Sequence, residues 1–149
     1  MLTLCVLGTT ATAMMMPLAA IWEFLGQAGD VIALGLAAAG SAAGIGMAGQ
    51  AAAGAWAREA RSEGPMRFTY IMLLGMPVSQ TLYAFIVMNS MREVLDNPQL
   101  TIANSGLLFG IGLSVGLAEL FSAWMQGLIG AAGIRMMSES GGKGFAFII

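Results

Sequence analysis

The stretch Gly40-Ser41-Ala42-Ala43-Gly44-Ile45-Gly46-Met47-Ala48-Gly49-Gln50-Ala51-Ala52-Ala53-Gly54 constrains this chain more than any other. It lies inside an apolar run from Val31 to Ala57. A helix crosses a bilayer in roughly 20 apolar residues, so the run is long enough to span. In water each glycine costs a helix about 1 kcal/mol relative to alanine, and this sequence would be a poor helix. In lipid the backbone must satisfy its own hydrogen bonds, and small side chains let neighbouring backbones approach.

The glycine spacing adds a geometric statement. At about 100° per residue, Gly40, Gly44 and Gly54 fall on one side of the helix. Gly35, Gly46 and Gly49 fall on roughly the opposite side. Two small faces suit a helix packed between neighbours on both sides, as in a closed ring. A generic packing helix of a polytopic membrane protein uses the same spacing.

Composition fixes the class. The 149 residues are 58% hydrophobic and 9% charged, against about 25% charged in soluble domains. Mean hydropathy is +0.81. The expectation is an all-α integral membrane protein. The single cysteine, Cys5, excludes an internal disulfide and a cysteine-cluster metal site. With no histidine, zinc, haem and imidazole acid–base chemistry are not expected. A net charge of −2 points to no nucleic-acid partner. No glycine-lysine phosphate loop is present, so no nucleotide site is expected and the chain does not read as an enzyme.

Taken in order, residues 1–30 form an apolar segment with Pro17 and Glu23. It lacks the basic start of a signal peptide, and reads as a leader, an extra helix or a misplaced gene start. Residues 31–91 read as a first hairpin. Its helix one spans about 31–57, a polar loop covers 58–66, and helix two spans about 67–91 with an internal break at Pro77. Residues 92–104 form a loop with the turn signal Asn97-Pro98. Residues 105–149 begin a second hairpin: helix three over about 105–137, a loop at 138–143, and the apolar Gly144-Phe145-Ala146-Phe147-Ile148-Ile149. These six residues cannot span a bilayer, and read as the start of an incomplete fourth helix.

Arg58, Arg61 and Arg67 surround the first loop, and Arg135 and Lys143 flank the third. The middle loop has Arg92 beside Glu93 and Asp96. The positive-inside rule therefore places loops 58–66 and 138–143 in the cytoplasm. One fixed shift pairs Gly35 with Gly116, Ser41 with Ser122, Gly46 with Gly127 and Gly49 with Gly130. Such self-similarity reads as a duplicated hairpin in parallel orientation.

Polar side chains at membrane depth are functional candidates by default. Helix two offers Ser79, Gln80, Thr81 and Tyr83 beside Pro77, which frees a carbonyl one turn earlier, near Leu73. Hydroxyl, amide, phenol and carbonyl oxygens are hard ligands suited to a cation such as sodium. The same groups also serve as hydrogen bonds between helices. Helix three offers Glu119, Ser122 and Gln126. Glu119 and Gln126 lie two turns apart on one face. Glu119 suits either an ion carrier or a protonated bridge between helices.

The Gly40–Ala51 stretch resembles the first helix of the rotor-ring proteolipid, called subunit K, of V-type (A/V-type) ATPases and ATP synthases. Pro77-Val78-Ser79-Gln80-Thr81-Leu82-Tyr83-Ala84-Phe85 resembles the second helix of its duplicated bacterial form. Met125-Gln126-Gly127 with Ala131-Ala132-Gly133-Ile134 resembles the third. The resemblance implies two tandem transmembrane hairpins, several copies of which form a c-ring. Glycine-rich helices one and three would line its inside, packed through Gly35, Gly40, Gly44, Gly46, Gly49, Gly54, Gly116, Gly127 and Gly130. It implies a site for transported Na+ or H+, with no cofactor. Carried over residue by residue, the ligands are the Ser79 hydroxyl, the Gln80 and Gln126 amides and the Met76 carbonyl, with Tyr83 and Pro77 in support. A glutamate on helix four completes the family's site, and the chain as given stops short of it. Glu119 stands where the family usually has a small or apolar residue, a possible additional carboxylate. Implied partners are identical subunits, a stator membrane subunit with half-channels, central-stalk subunits and the lipid bilayer of a prokaryotic cytoplasmic membrane. The competing readings are a non-transporting packing or assembly protein and a fragment of a secondary transporter.

Overall fold

The computed structural model describes the backbone of residues 2–148 and the side chains of residues 18–146 and Ile148. The described chain is helical. Helix α1 runs Leu2–Arg61, α2 Thr69–Gly75, α3 Val78–Leu95, α4 Pro98–Ala103 and α5 Ser105–Glu139. A single 3-10 turn covers Phe145–Phe147. Among the described residues, three stretches are long and apolar enough to cross a membrane: Leu18–Arg61, Thr69–Leu95 and Ser105–Glu139.

Residues 2–30 do not form an element of their own. They continue α1 without interruption. At Asp30 the helix is packed against its neighbours. Gly26 lies against Thr101, and Gly29 against the backbone of Leu108, which leaves Asp30 only 8% exposed.

The principal interface joins α1 to α5, which run parallel. Gly29 meets Leu108 and Gly112, Gly40 meets Leu120, Gly44 meets Ala123 and Gly127, and Ala48 meets Gly130. A Cβ on Gly112 would overlap the Gly29 carbonyl, and one on Gly127 would overlap the Gly44 backbone. Backbone therefore touches backbone, which only glycine permits. The contacts keep nearly the same offset as the sequence repeat, so matched residues of helices one and three sit at nearly the same depth.

Among the described residues, the buried stripe of α1 runs through Gly26, Gly29, Ala33, Ala37, Gly40, Gly44, Ala48, Ala52, Ala55 and Glu59, with Asp30 and Ser41 buried beside it. They recur at about 3.7 residues per turn, a period that favours right-handed crossing. Gly54 falls off this stripe and has nothing within 4 Å of an added Cβ. It therefore does not share a packed face with Gly40 and Gly44 as expected. Gly35, Gly46 and Gly49, on the far side, are equally open.

Both α1 and α5 end the same way. At α1, the Gly64 N–H donates to Glu59 O at 3.0 Å, with Glu63 left-handed at φ 55°. At α5, the Gly142 N–H donates to Met137 O at 2.7 Å, with Gly141 at φ 71°. These are Schellman closures, and they put the two following loops at one end of the molecule. The loop between α3 and α5 is not wholly irregular. Asn97 Oδ1 accepts from the N–H groups of Gln99 and Leu100 at 3.1 and 3.3 Å, and Pro98 opens α4. This is an N-cap followed by proline at N1.

Candidate ion-binding layer

Pro77 has no N–H, so it stops α2 and leaves the Leu73 carbonyl without its helical donor. That carbonyl faces α5 at Gly130, where a Cβ would lie 2.9 Å from the oxygen. The Pro77 ring fills the space opposite Gly44, with Cβ and Cγ both 2.9 Å from a Cβ built there. Glycines on α1 and α5 thus admit the break to the helix interface. The carbonyl of Pro77 accepts the Ser41 hydroxyl at 2.6 Å, and Thr81 Oγ1 donates to Ser41 Oγ at 2.8 Å.

One turn along, the polar groups belong to a different set. The Ser79 hydroxyl lies 2.9 Å from Met76 O and 2.7 Å from Gln80 Oε1. It carries one hydrogen, so it satisfies one of these acceptors at a time. Gln80 is 5% exposed, and its Nε2 donates across to Ser122 Oγ on α5 at 3.1 Å. Gln126 Oε1 is buried and has no hydrogen-bond partner among the described residues. Ser79, Met76 and Gln126 line one open groove of about 590 Å³, walled by Met72, Val78 and Leu82. Met76 O also accepts the Ser79 N–H at 3.3 Å, so the oxygen left without any donor in this groove is Gln126 Oε1. That arrangement leaves lone pairs for a cation. Among the described residues, no carboxylate lines the groove.

Two expected residues stand apart. Tyr83 is 56% exposed and makes no hydrogen bond among the described residues. It points away from the layer although it lies one turn beyond Gln80. Glu119 is half-buried and makes no hydrogen bond or ion pair among the described residues. It sits one turn from Ser122. Because α3 and α5 are antiparallel, with Gln80 opposite Ser122, that turn brings Glu119 level with Tyr83, outside the groove.

A second polar cluster closes the end where α1 meets α2. Arg67 pairs with Glu59, the sole ion pair among the described residues. The Tyr70 hydroxyl donates to Glu59 Oε1 at 2.7 Å, and the Arg67 N–H to Glu59 Oε2 at 3.2 Å. Trp56 Nε1 donates to Arg67 O at 2.9 Å, and its ring tilts against Tyr70 with centroids 6.0 Å apart. Beneath lie Ala48, Ala52, Ala55, Leu73, Ile134 and Met137. This cluster has no sequence signature of its own. Its one hint is an acid and a base on either side of Gly64-Pro65.

A family profile described as that of the C subunit of ATP synthase matches residues 29–91. The A-type ATP synthase subunit K of Methanocaldococcus jannaschii is 33% identical over 129 residues, covering 84% of this chain and 54% of that protein. The chain therefore spans about half the length of this curated relative. No solved structure matches it.

Proposed function

Because the chain belongs to the c-ring proteolipid family of ATP synthases, in its A/V-type subunit K form, we propose that it is a non-catalytic, ion-carrying subunit of such a ring, with sodium as its ion. The observation that supports the choice of ion is the buried Gln126 Oε1, which has no donor among the described residues, in the groove that Met76 and Ser79 also line. A proton site needs a carboxyl group in an apolar setting and little else. A sodium site needs several neutral oxygens around the ion, and a buried acceptor without a donor is costly unless something binds it.

In the proposed cycle, an ion enters from a half-channel of the stator and settles among these oxygens. A carboxylate from a further helix, placed against the open side of the groove, neutralises it. The neutral site passes through lipid as the ring turns, and the ion leaves at a second half-channel. Nucleotide chemistry belongs to other subunits, and loops 58–66 and 138–143 face the cytoplasm and the central stalk. Glu119, level with Tyr83, is not a ligand in this scheme.

The open glycine face of α1 supports the ring. Gly35, Gly46 and Gly49 lie opposite the α5 interface, and an added Cβ at each would meet nothing within 4 Å among the described residues. A second copy docked there by its own α5 repeats the contact made inside the chain, and a head-to-tail contact that repeats closes into a ring. Cysteines at Gly46 and Met125 test this in the membrane. Oxidation should give a ladder of multimers with an upper limit, and monomers alone would favour the non-transporting packing protein. Thermal unfolding of the assembled ring tests the ion: sodium chloride should stabilise it and choline chloride should not.

A further inference from the structure

We propose that Phe24 of one subunit plugs an apolar pocket of the next copy, locking neighbours together at the end of the ring away from loops 58–66. The proposal rests on the ring reading and adds to it one side chain and the pocket that receives it. Phe24 and Val31 are 69% and 68% exposed. At about 100° per residue they fall on the same side of α1 as Gly35 and Gly49. That side looks away from α5 and is the face offered to the neighbouring copy.

Lipid does not cover Phe24. Asp30 and Arg58 bound the apolar part of α1, and they lie about 42 Å apart along the helix. This matches a bilayer together with its headgroups. Phe24 stands about 9 Å beyond Asp30, at the level of water. Leu18, Ile21 and Trp22 are exposed beside it, and contiguous apolar surface exposed to water marks an interaction site.

Helices α3 and α5 supply the complement. A pocket of about 340 Å³ opens between them at the same end, with Val87, Met91, Leu107 and Ile111 among its apolar walls and Ser90 and Asn104 as its polar groups. Leu107 lies on the side of α5 turned from α1 and is 62% exposed. Depth agrees as well. The offset that sets Gly29 against Gly112 within the chain sets Phe24 level with Leu107, and the offset from Gly40 to Leu120 sets Val31 level with Ile111. Copies related by rotation in a ring share one depth, so a copy docked on the open face of α1 brings this pocket to Phe24. The pocket's own chain cannot fill it with Phe24, because that side chain looks away from α5. The Met91 thioether suits the edge of an aromatic ring.

Disulfide formation in the membrane tests the contact, on a Cys5→Ser background that removes the native thiol. Phe24→Cys with Leu107→Cys should give the same ladder of multimers as cysteines at Gly46 and Met125. A ladder from the Gly46 and Met125 pair beside monomers from the Phe24 and Leu107 pair overturns this contact while the ring stands, and gives the pocket to another segment. Monomers from both pairs overturn the ring reading and this contact with it. Should the double variant not fold, Phe24→Cys alone decides. A water-soluble maleimide should label it about tenfold more slowly in the assembled ring than in dissociated subunits, because apolar burial holds the contact closed. Equal labelling rates overturn the proposal.

Discussion

Two polar clusters bury themselves in this apolar chain, and they are built on opposite principles. Around Glu59, charge is present and every group has a partner: the carboxylate receives Arg67, the Arg67 N–H and the Tyr70 hydroxyl. Around Ser79, charge is absent and the partners run short. One hydroxyl hydrogen faces two acceptors, and Gln126 Oε1 has none among the described residues. A completed network fixes geometry, here the tilt of α2 against α1. An uncompleted network of acceptors is suited to a positive ion. The difference separates a network closed within the chain from one that leaves an acceptor open, although both clusters use ordinary side chains.

The largest expected effect breaks the completed cluster. Glu59→Ala leaves the buried Tyr70 phenol without its acceptor, and should cost about 3 kcal/mol of stability, read as thermal unfolding in detergent by circular dichroism. A variant as stable as the wild type would show that this cluster is not structural. Next comes Gln126→Leu, which removes an acceptor that has no partner to lose. Its stability without sodium should match the wild type. Its stabilisation by sodium should vanish, a difference of about 2.7 kcal/mol at a hundredfold excess over the dissociation constant. Retained sodium stabilisation would erase the contrast drawn above. Ser79→Ala deletes one hydrogen bond and one oxygen, so it should lose about 1 kcal/mol and weaken sodium binding together, both visible in one salt-titrated melt. Smallest is Thr81→Val. It removes the bond to Ser41 while Ser41 keeps Pro77 O, and should cost about 0.6 kcal/mol with sodium binding untouched. A loss of binding there would extend the ion layer to α1.

Much of this was legible in the residues. Length and apolarity mark the three spanning stretches, and Pro77 marks the break between α2 and α3, because a missing N–H acts locally. The opposed glycine faces also follow from spacing, except at Gly54. There a fixed 100° step drifts from the stripe that α5 covers, since that stripe repeats at about 3.7 residues and not 3.6. The layer residues Ser79, Gln80 and Gln126 were visible as polar groups at membrane depth. The unpartnered oxygen of Gln126 was not, because it depends on which groups face which. At about 100° per residue Tyr83 falls between Ser79 and Gln80 on the helix, yet it is 56% exposed. The Glu59–Arg67–Tyr70 cluster was hidden because a loop brings its members together. The continuity of α1 through Asp30 was hidden because packing against α4 and α5, not composition, carries the helix past that point.

The shared register of α1 and α5 also governs how such a chain can change over generations. Lengthening the loops at 58–66 or 92–104 alters no depth relation, so those segments are free to drift. A single residue inserted within α1 between Gly29 and Gly44 is another matter. It turns everything beyond it by about 100° and advances it by about 1.5 Å, which sets side chains against the glycine backbones of α5. Lineages descended from this architecture should therefore tolerate length variation at the tips of the hairpins and none along the glycine seam.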